Sequence, residues 1–539
     1  MSSNATAGDE TRVNTYTTGG QAVASLTGLA DGGWIATWES AHDGQGIYQQ
    51  RYDADGAMVG SETLVNTVTT AGEGFSSVTA LSDGGWLVAW TSLDDQDEDN
   101  SADIHQQRYD VDGVAVGIET TVNTYTTSVQ MIPNTTALAQ GGWVVTWNSS
   151  GQDGSGDGIY QQRYNAVGVA VGDETKVNSI TTGAQQYSAV AALADGGWIV
   201  TWQSSEPGQG NNIYQQRYNV AGEAVETDAL VNTVTASNQN GASVTALTDG
   251  GWIVAWESDG QDGSGTGVYL QRYDVDGATV GAETQVNTYT TDDQYSASVS
   301  ALSDGGWVMA WQAESQDGSV EGIYQQRYHA DGTAAGTETL VNAYTTGSQN
   351  SPSVTALDDG SWVVSWRSEA QDGSGDGIYQ RHYAIDRIGT MDAETISGTN
   401  WSETISGEDG NDTLKGLNGG DIIDGGIGRD RMTGGKGADT FLFLTDETGK
   451  TKAKADIILD MTHADQIDLH LIDARETPDN DQAFKFIGTK DFTGHEGELR
   501  YEKLKSDTYI YGDTDGDKKA DFAIHLDDAM KLKAGDFAL

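Results

Sequence analysis

The chain has 539 residues, 81 acidic and 28 basic, for a formal charge of −53, and contains no cysteine. That balance repels nucleic-acid phosphates and anionic lipid surfaces, and the missing thiols exclude disulfides and thiolate metal sites. Such a charge attracts cations, so the question is whether the acids are scattered or arrayed as ligands.

The start, Met1-Ser-Ser-Asn-Ala-Thr-Ala7, has no basic n-region and no apolar h-region, and no later run reaches the roughly 18 apolar residues that span a bilayer. Neither a Sec-type leader nor a membrane span is expected.

A repeat follows at once. Tryptophans four apart return at Trp34/Trp38, Trp86/Trp90, Trp143/Trp147, Trp198/Trp202, Trp252/Trp256, Trp307/Trp311 and Trp362/Trp366, and the first members are spaced 52 to 57 residues apart. Each repeat holds four strand-like pieces bounded by Asp-Gly or Gly-Gly turns; in the first these are Glu10–Asn14, Ala22–Leu29, Trp34–Trp38 and Ile47–Tyr52. A helix would also put tryptophans four apart on one face, but the leading glycine pair and β-branched filling disfavour it. Seven four-stranded units imply a seven-bladed β-propeller over residues 1–388.

The Glu-Thr-x-x-Val-Asn-like piece ends at Asn14, Asn66, Asn123, Asn178, Asn232, Asn287 and Asn342, with one copy before the first tryptophan pair and none after the last repeat. The spacing therefore predicts that residues 10–14 form the outermost strand of the last blade, closing the ring and leaving no open sheet edge. The Ser-Val-Thr-Ala-Leu-type segments become inner strands, the tryptophan strands second and the Gln-Gln-Arg-Tyr strands third. Tight turns collect at one end of the ring. Longer loops collect at the other, where a ligand surface is expected.

The paired tryptophans read as blade-to-blade packing, with sugar-stacking platforms as the alternative. Arg51, Arg108, Arg163, Arg217, Arg272 and Arg327 recur beside a tyrosine; an ion pair with one acid per repeat, such as Glu62, is expected over anion binding. The seventh copy breaks the rule with Arg381-His382. The Gln-Asp-Gly-Ser-Gly-Asp-Gly loops at 152–158 and 371–377, with variants at 261–267 and 316–322, fit either Ca²⁺ ligation or plain glycine turns. Blade two carries Asp94-Asp-Gln-Asp97-Glu-Asp99 at that place and blade four Glu206-Pro-Gly-Gln, so the ring is not uniform.

After Asp392 the period becomes nine. Glycines fall at Gly398, Gly407, Gly416, Gly425 and Gly434; an acid follows five later at Glu403, Asp412, Asp421, Asp430 and Asp439, and an apolar residue two beyond at Ile405, Leu414, Ile423, Met432 and Phe441. This is the calcium-binding nonapeptide Gly-Gly-x-Gly-x-Asp-x-U-x. Glycines allow the left-handed turn, turn carbonyls and carboxylates supply oxygen ligands, and the apolar residue fills the space between sheets. The candidate ligand set is Gly407, Asp409, Gly410 and Asp412; Gly416, Asn418, Gly419 and Asp421; Gly425, Gly428 and Asp430; and Gly434, Gly437 and Asp439. The first turn is degenerate, with Trp401 where a glycine belongs. A second constellation, Asp513, Asp515, Asp517 and Asp521, has the one-apart spacing that suits Ca²⁺.

Together with Ala438-Asp-Thr-Phe-Leu-Phe443, Asp465-Gln-Ile-Asp468, Gly497-Glu-Leu-Arg-Tyr501, Gly512-Asp-Thr-Asp-Gly-Asp517 and the ending Asp536-Phe-Ala-Leu539, these turns make residues 392–539 resemble the C-terminal domain of serralysin-type secreted metallopeptidases, within the RTX (hemolysin-type calcium-binding) group. The resemblance implies a parallel β-roll over 389–444 holding several Ca²⁺ ions. It also implies a β-sandwich over 445–539 that carries an uncleaved signal for the type I secretion apparatus, and an extracellular location. It does not extend to the peptidase: the only His-Glu pair, His495-Glu496, is followed by Gly497-Glu498-Leu499 rather than completing His-Glu-x-x-His. Gly449-Lys450-Thr451 lacks the upstream glycine of a phosphate loop, and no nucleophile is assembled with a base. The expected whole is an all-β secreted calcium-binding protein. Its propeller is read as a multivalent lectin-like or adhesive module for an extracellular glycan or cell-surface ligand; the alternatives are a polysaccharide-acting enzyme and a structural matrix component.

Overall fold

A computed structural model describes residues 5–42, 44–68, 72–93, 101–205, 210–475 and 482–539. Two compact units emerge, one of Asp9–His382 and one of Met1–Gly8 with Tyr383–Leu539. The fold is all-β; among the described residues the one helical element is a 3-10 turn at Ala534–Asp536.

The first unit is a seven-bladed propeller. Blade one orders Gln21–Gly28, Trp34–Ser40, Gly46–Tyr52 and Met58–Leu64 from inside to outside, and the other blades repeat this order. The seven first strands neighbour one another around the ring, and the last, Gln349–Ala356, lies beside the first, where Gly28 N–H donates to Thr355 Oγ1 at 3.1 Å. The expected closure is present: Thr11–Arg12 pairs antiparallel with Gln380 and Tyr379 of the third strand of blade seven. Asn14 finishes it, its Oδ1 accepting Ile378 N–H at 2.7 Å across 364 residues. Asn66, Asn123, Asn178, Asn232, Asn287 and Asn342 make the same bond within blades one to six.

The blades are held together by the first tryptophan of each pair. Trp86 Nε1 donates to Gln49 Oε1 of the preceding blade at 2.9 Å, and Trp34, Trp143, Trp198, Trp252 and Trp362 reach Gln380, Gln106, Gln161, Gln215 and Gln325 in the same way. Blade five places Leu270 where the others have glutamine, so the buried Trp307 indole N–H has no acceptor. The recurring arginines pair with the aspartate of the Asp-Gly-Gly turn, not with Glu62: Arg51 with Asp31 at 2.5 Å, Arg217 with Asp195 at 2.7 Å, and Arg108 and Arg327 with Asp83 and Asp304. Glu62 is instead engaged by Thr15 N–H at 2.5 Å. In blade seven His382 replaces the arginine and bonds Ser361 Oγ at 2.7 Å; burial pushes its pKa down to about 3, so it is neutral.

One feature was not legible from the period. Every first strand carries a β-bulge two residues in, at Val23, Phe75, Ile132, Tyr187, Gly241, Ser296 and Ser351, all with φ between 46° and 60°. Six of these are not glycine, a costly backbone choice, and the bulges shape the loop-end mouth of the central channel.

In the second unit parallel strands eighteen residues apart stack into two sheets. One runs Arg387–Ile388, Thr404–Ser406, Ile422–Asp424, Thr440–Leu442, Gln466–Asp468 and Phe537–Ala538. The other runs Thr395–Ser397, Thr413–Asn418, Arg431–Lys436 and Asp456–Ile458, then continues through Phe522–Leu526, Thr508–Asp513, Glu498–Lys503 and Lys485–Gly488. Roll and sandwich therefore share sheets and one core. Ile405, Leu414, Ile423, Met432 and Phe441 are fully buried in it, beside Ile467, Leu499, Ile510 and Ile524.

Candidate functional site

The nine-residue turns alternate between the two edges of the roll, so that each turn stacks on the one eighteen residues before it, as Ile427–Gly428 does on Asp409–Gly410. Gly428 and Gly437 sit where a Cβ would come within 1.6 and 1.4 Å of the carbonyl oxygens of Gly410 and Gly419, so no side chain fits there. The left-handed position falls at Glu408, Leu417, Gly426 and Gly435; glycine fills it in the two best-matching turns.

This stacking buries the aspartates. Asp412, Asp421, Asp430 and Asp439 are at most 1% exposed. Each Oδ1 accepts a main-chain N–H from eighteen residues earlier, those of Glu394, Glu403, Asp412 and Asp421, at 2.7 to 3.0 Å. Each Oδ2 is buried without a hydrogen-bond partner and faces the glycine five residues before it, Gly407, Gly416, Gly425 or Gly434. Burial pushes the Asp421 and Asp430 carboxyls up to about 7, reinforced by Glu403 and Asp439 in one case and Asp412 and Asp424 in the other. Burial raises Asp412 and Asp439 as well. A buried carboxylate oxygen with no donor is unstable unless it takes a proton or a cation. Carboxylate and turn-carbonyl oxygens, with no nitrogen or sulfur, are the donor set a hard divalent cation prefers.

The flanking turns are closed differently. Glu403 receives the N–H and hydroxyl of Thr399, Glu394 those of Thr390, and Asp465 those of Thr462. Threonine donors there satisfy what the four central aspartates leave open. Of the other expected ligands, Asp409 is exposed and Asn418 donates to Asn400 Oδ1 at 3.0 Å, outside the buried row.

Residues 380–539 match the family described as peptidase M10 serralysin C terminal. The match leaves residues 1–379 outside it, and no curated protein matches the chain. Among solved structures, a protein of unknown function from Dyadobacter fermentans DSM 18053 is 13% identical over 71% of this chain and 99% of its own, with a TM-score of 0.45. The AlgE6R3 subunit of the Azotobacter vinelandii mannuronan C5-epimerase is 28% identical over 29% of this chain and 83% of its own, with a TM-score of 0.22. An alpha-L-arabinofuranosidase from Fusarium graminearum is 10% identical over 67% of this chain and 92% of its own, with a TM-score of 0.39.

The serralysin-type unit holds two further acid clusters. Asp513, Asp515 and Asp521 bring oxygens within 4.8 Å of one another. Asp517 does not join them: it is tied to Lys519 Nζ at 2.6 Å. Asp513 also accepts Gly516 and Lys518 N–H, and Asp521 accepts Thr514 N–H and hydroxyl and lies 3.3 Å from Lys450 Nζ. The second cluster, Asp507, His525 and Asp527, escaped sequence reasoning. Register across the hairpin of Thr508–Asp513 and Phe522–Leu526 creates it, stacking His525 on Tyr509 at 4.4 Å and bonding it to Asp507 Oδ1 at 2.9 Å.

On the propeller, the paired tryptophans are buried. In the four Asp-Gly-Ser-Gly-type loops Asp153, Asp262, Asp317 and Asp372 each spend Oδ1 on the serine N–H two residues on, at 2.8 to 3.1 Å, and leave a buried Oδ2 unpaired. The Asp94–Asp99 and Glu206–Gln209 loops lie outside the described residues. At the loop-end mouth of the channel lies a cavity of about 600 Å³ walled by blades three to six.

Proposed function

We propose that the chain is a secreted protein whose serralysin-type unit binds several Ca²⁺ ions and serves as the calcium-triggered folding and type I export module, carrying the propeller as a lectin-like or adhesive module for extracellular glycan. The observation that carries this is the row of four buried carboxylates, each with one oxygen fixed by the backbone and one left open. The family match over residues 380–539 supports it.

The aspartates Asp412, Asp421, Asp430 and Asp439, with carbonyls of the glycine turns, would hold the ions; Asp513, Asp515 and Asp521 are a further candidate site. In a low-calcium cytosol these carboxylates repel one another and keep the roll open. Outside the cell calcium offsets that repulsion, and binding supplies folding free energy. Weak extracellular-type affinity suffices.

Two measurements test the reading. Isothermal titration of chelated full-length protein with CaCl₂ is expected to show several ions bound with a gain of β-structure; no binding at millimolar calcium refutes the calcium part. A glycan array probed with calcium-loaded protein is expected to show one glycan class bound; a blank array refutes the lectin part.

A further inference from the structure

We propose that the channel mouth is a binding site for a neutral oligosaccharide, one per molecule, in place of the several equivalent loops that repetition alone suggests. The proposal rests on the reading of the propeller as a glycan-binding module and gives that module a location and a ligand charge.

The cavity of about 600 Å³ is of the size that binds small ligands. Its polar groups share one pattern: each is fixed by a protein hydrogen bond at one atom and presents the other to the cavity. Gln203 Oε1 accepts Gly241 N–H at 3.2 Å and leaves its amide NH₂ free; Asn240 Oδ1 accepts Asn211 Nδ2 at 2.7 Å and leaves its own NH₂. Asn134 Nδ2 donates to Ser188 O at 2.8 Å and leaves Oδ1, and Glu257 Oε1 accepts Ser296 N–H at 2.6 Å and leaves Oε2. Two donor groups and two acceptors are thereby held in place by side chains that are already anchored.

Sugar hydroxyls both donate and accept, so a wall of anchored amides and one carboxylate suits them. Tyr187 supplies the apolar face a pyranose needs: the bulge, with φ of 55°, holds it at the mouth, where it is 47% exposed. No lysine or arginine lines the cavity, and Glu257 opposes anions. Acidic glycans and phosphates therefore do not fit.

The ring is also chemically lopsided at this level. The residue after the second tryptophan is Gln203 in blade four and Glu257 in blade five, but Arg367 in blade seven, where it is tied to Asp376 at 2.5 Å. At the bulge itself the opposite arc offers Val23 and Phe75. Phe75, 42% exposed, occupies the strand position of Tyr187 but lies outside the cavity, which makes it the internal control.

The experiment titrates calcium-loaded full-length protein with maltohexaose, cellohexaose and xylohexaose, and with oligogalacturonate and oligomannuronate as charged counterparts, by calorimetry and saturation-transfer NMR. A neutral oligosaccharide is expected to bind at one per chain, with Tyr187→Ala weakening it at least tenfold and Phe75→Ala leaving it within twofold. Ser243→Phe, which fills the cavity, is expected to abolish it; each variant's melting profile verifies folding. Binding at several sites per chain, equal loss in Tyr187→Ala and Phe75→Ala, or preference for the acidic oligomers overturns the channel-mouth site while leaving the lectin reading intact. Absence of binding to every oligomer, together with a blank array, overturns both.

Discussion

The clearest consequence of the buried aspartates is a stability that depends on pH in opposite ways with and without calcium. Burial raises Asp421, Asp430 and Asp456 from the ordinary 3.8 to about 7. A displacement of about three pH units is worth about 4 kcal/mol per group, and about half of that remains once solvent screening at the roll edge is allowed for. The sign follows from proton counts. With the folded value above the unfolded one, the ion-free folded chain binds more protons than the unfolded chain at intermediate pH, so its stability is greatest below about pH 4 and is lost as pH rises towards 7. Calcium replaces the proton and removes the loss. In calorimetry of full-length protein in chelator, the transition of the C-terminal unit should fall by about 10 °C between about pH 5 and pH 8. In excess CaCl₂ it should hold steady or rise, because bound calcium competes less with protons as pH increases. A chelated transition that is flat or rises over that range would refute the assignment of these carboxylates as unpaired.

Three substitutions probe the packing that builds the sites. Gly428→Ala puts a methyl group 1.6 Å from the Gly410 carbonyl oxygen and should cost about 4 kcal/mol or more, read as loss of the calcium-induced circular-dichroism change. Gln161→Leu orphans the Trp198 indole and should destabilise the propeller by about 1 to 3 kcal/mol, whereas Leu270→Gln offers Trp307 its missing acceptor and should add about 1 kcal/mol; opposite shifts of the propeller melting temperature verify the pair. Asn14→Ala leaves Ile378 N–H without its acceptor and should cost at least as much as the same change at Asn232. The reason is that the closing strand, Thr11–Arg12, is only two residues long, and limited proteolysis of the amino-terminal segment reads the difference.

What the letters disclosed was whatever is written in a period. Tryptophans 52 to 57 residues apart and glycines nine apart specify blade and turn because each unit must bury the same face as the last. The surplus Val13-Asn14 piece disclosed the ring closure for the same reason. Partners set by tertiary register were not disclosed. Arg51 is equally near in sequence to Asp31 and Glu62, and only the pairing of Trp34–Ser40 with Gly46–Tyr52 brings Asp31 to it. Asp507, His525 and Asp527 lie 18 and 2 residues apart and share no motif; a hairpin joins them. The channel mouth depends on left-handed backbone at Phe75, Ile132 and Tyr187, residue types that give no hint of it. Asp517 has the spacing of a ligand, yet Lys519 two residues on claims it.

Hydrogen–deuterium exchange across residues 389–444, measured on the full chain with calcium and after chelation, tests calcium-dependent folding of the roll most directly. Amides of Thr413–Asn418 and Arg431–Lys436 protected only while calcium is present is the expected result. Equal protection in chelator would contradict it.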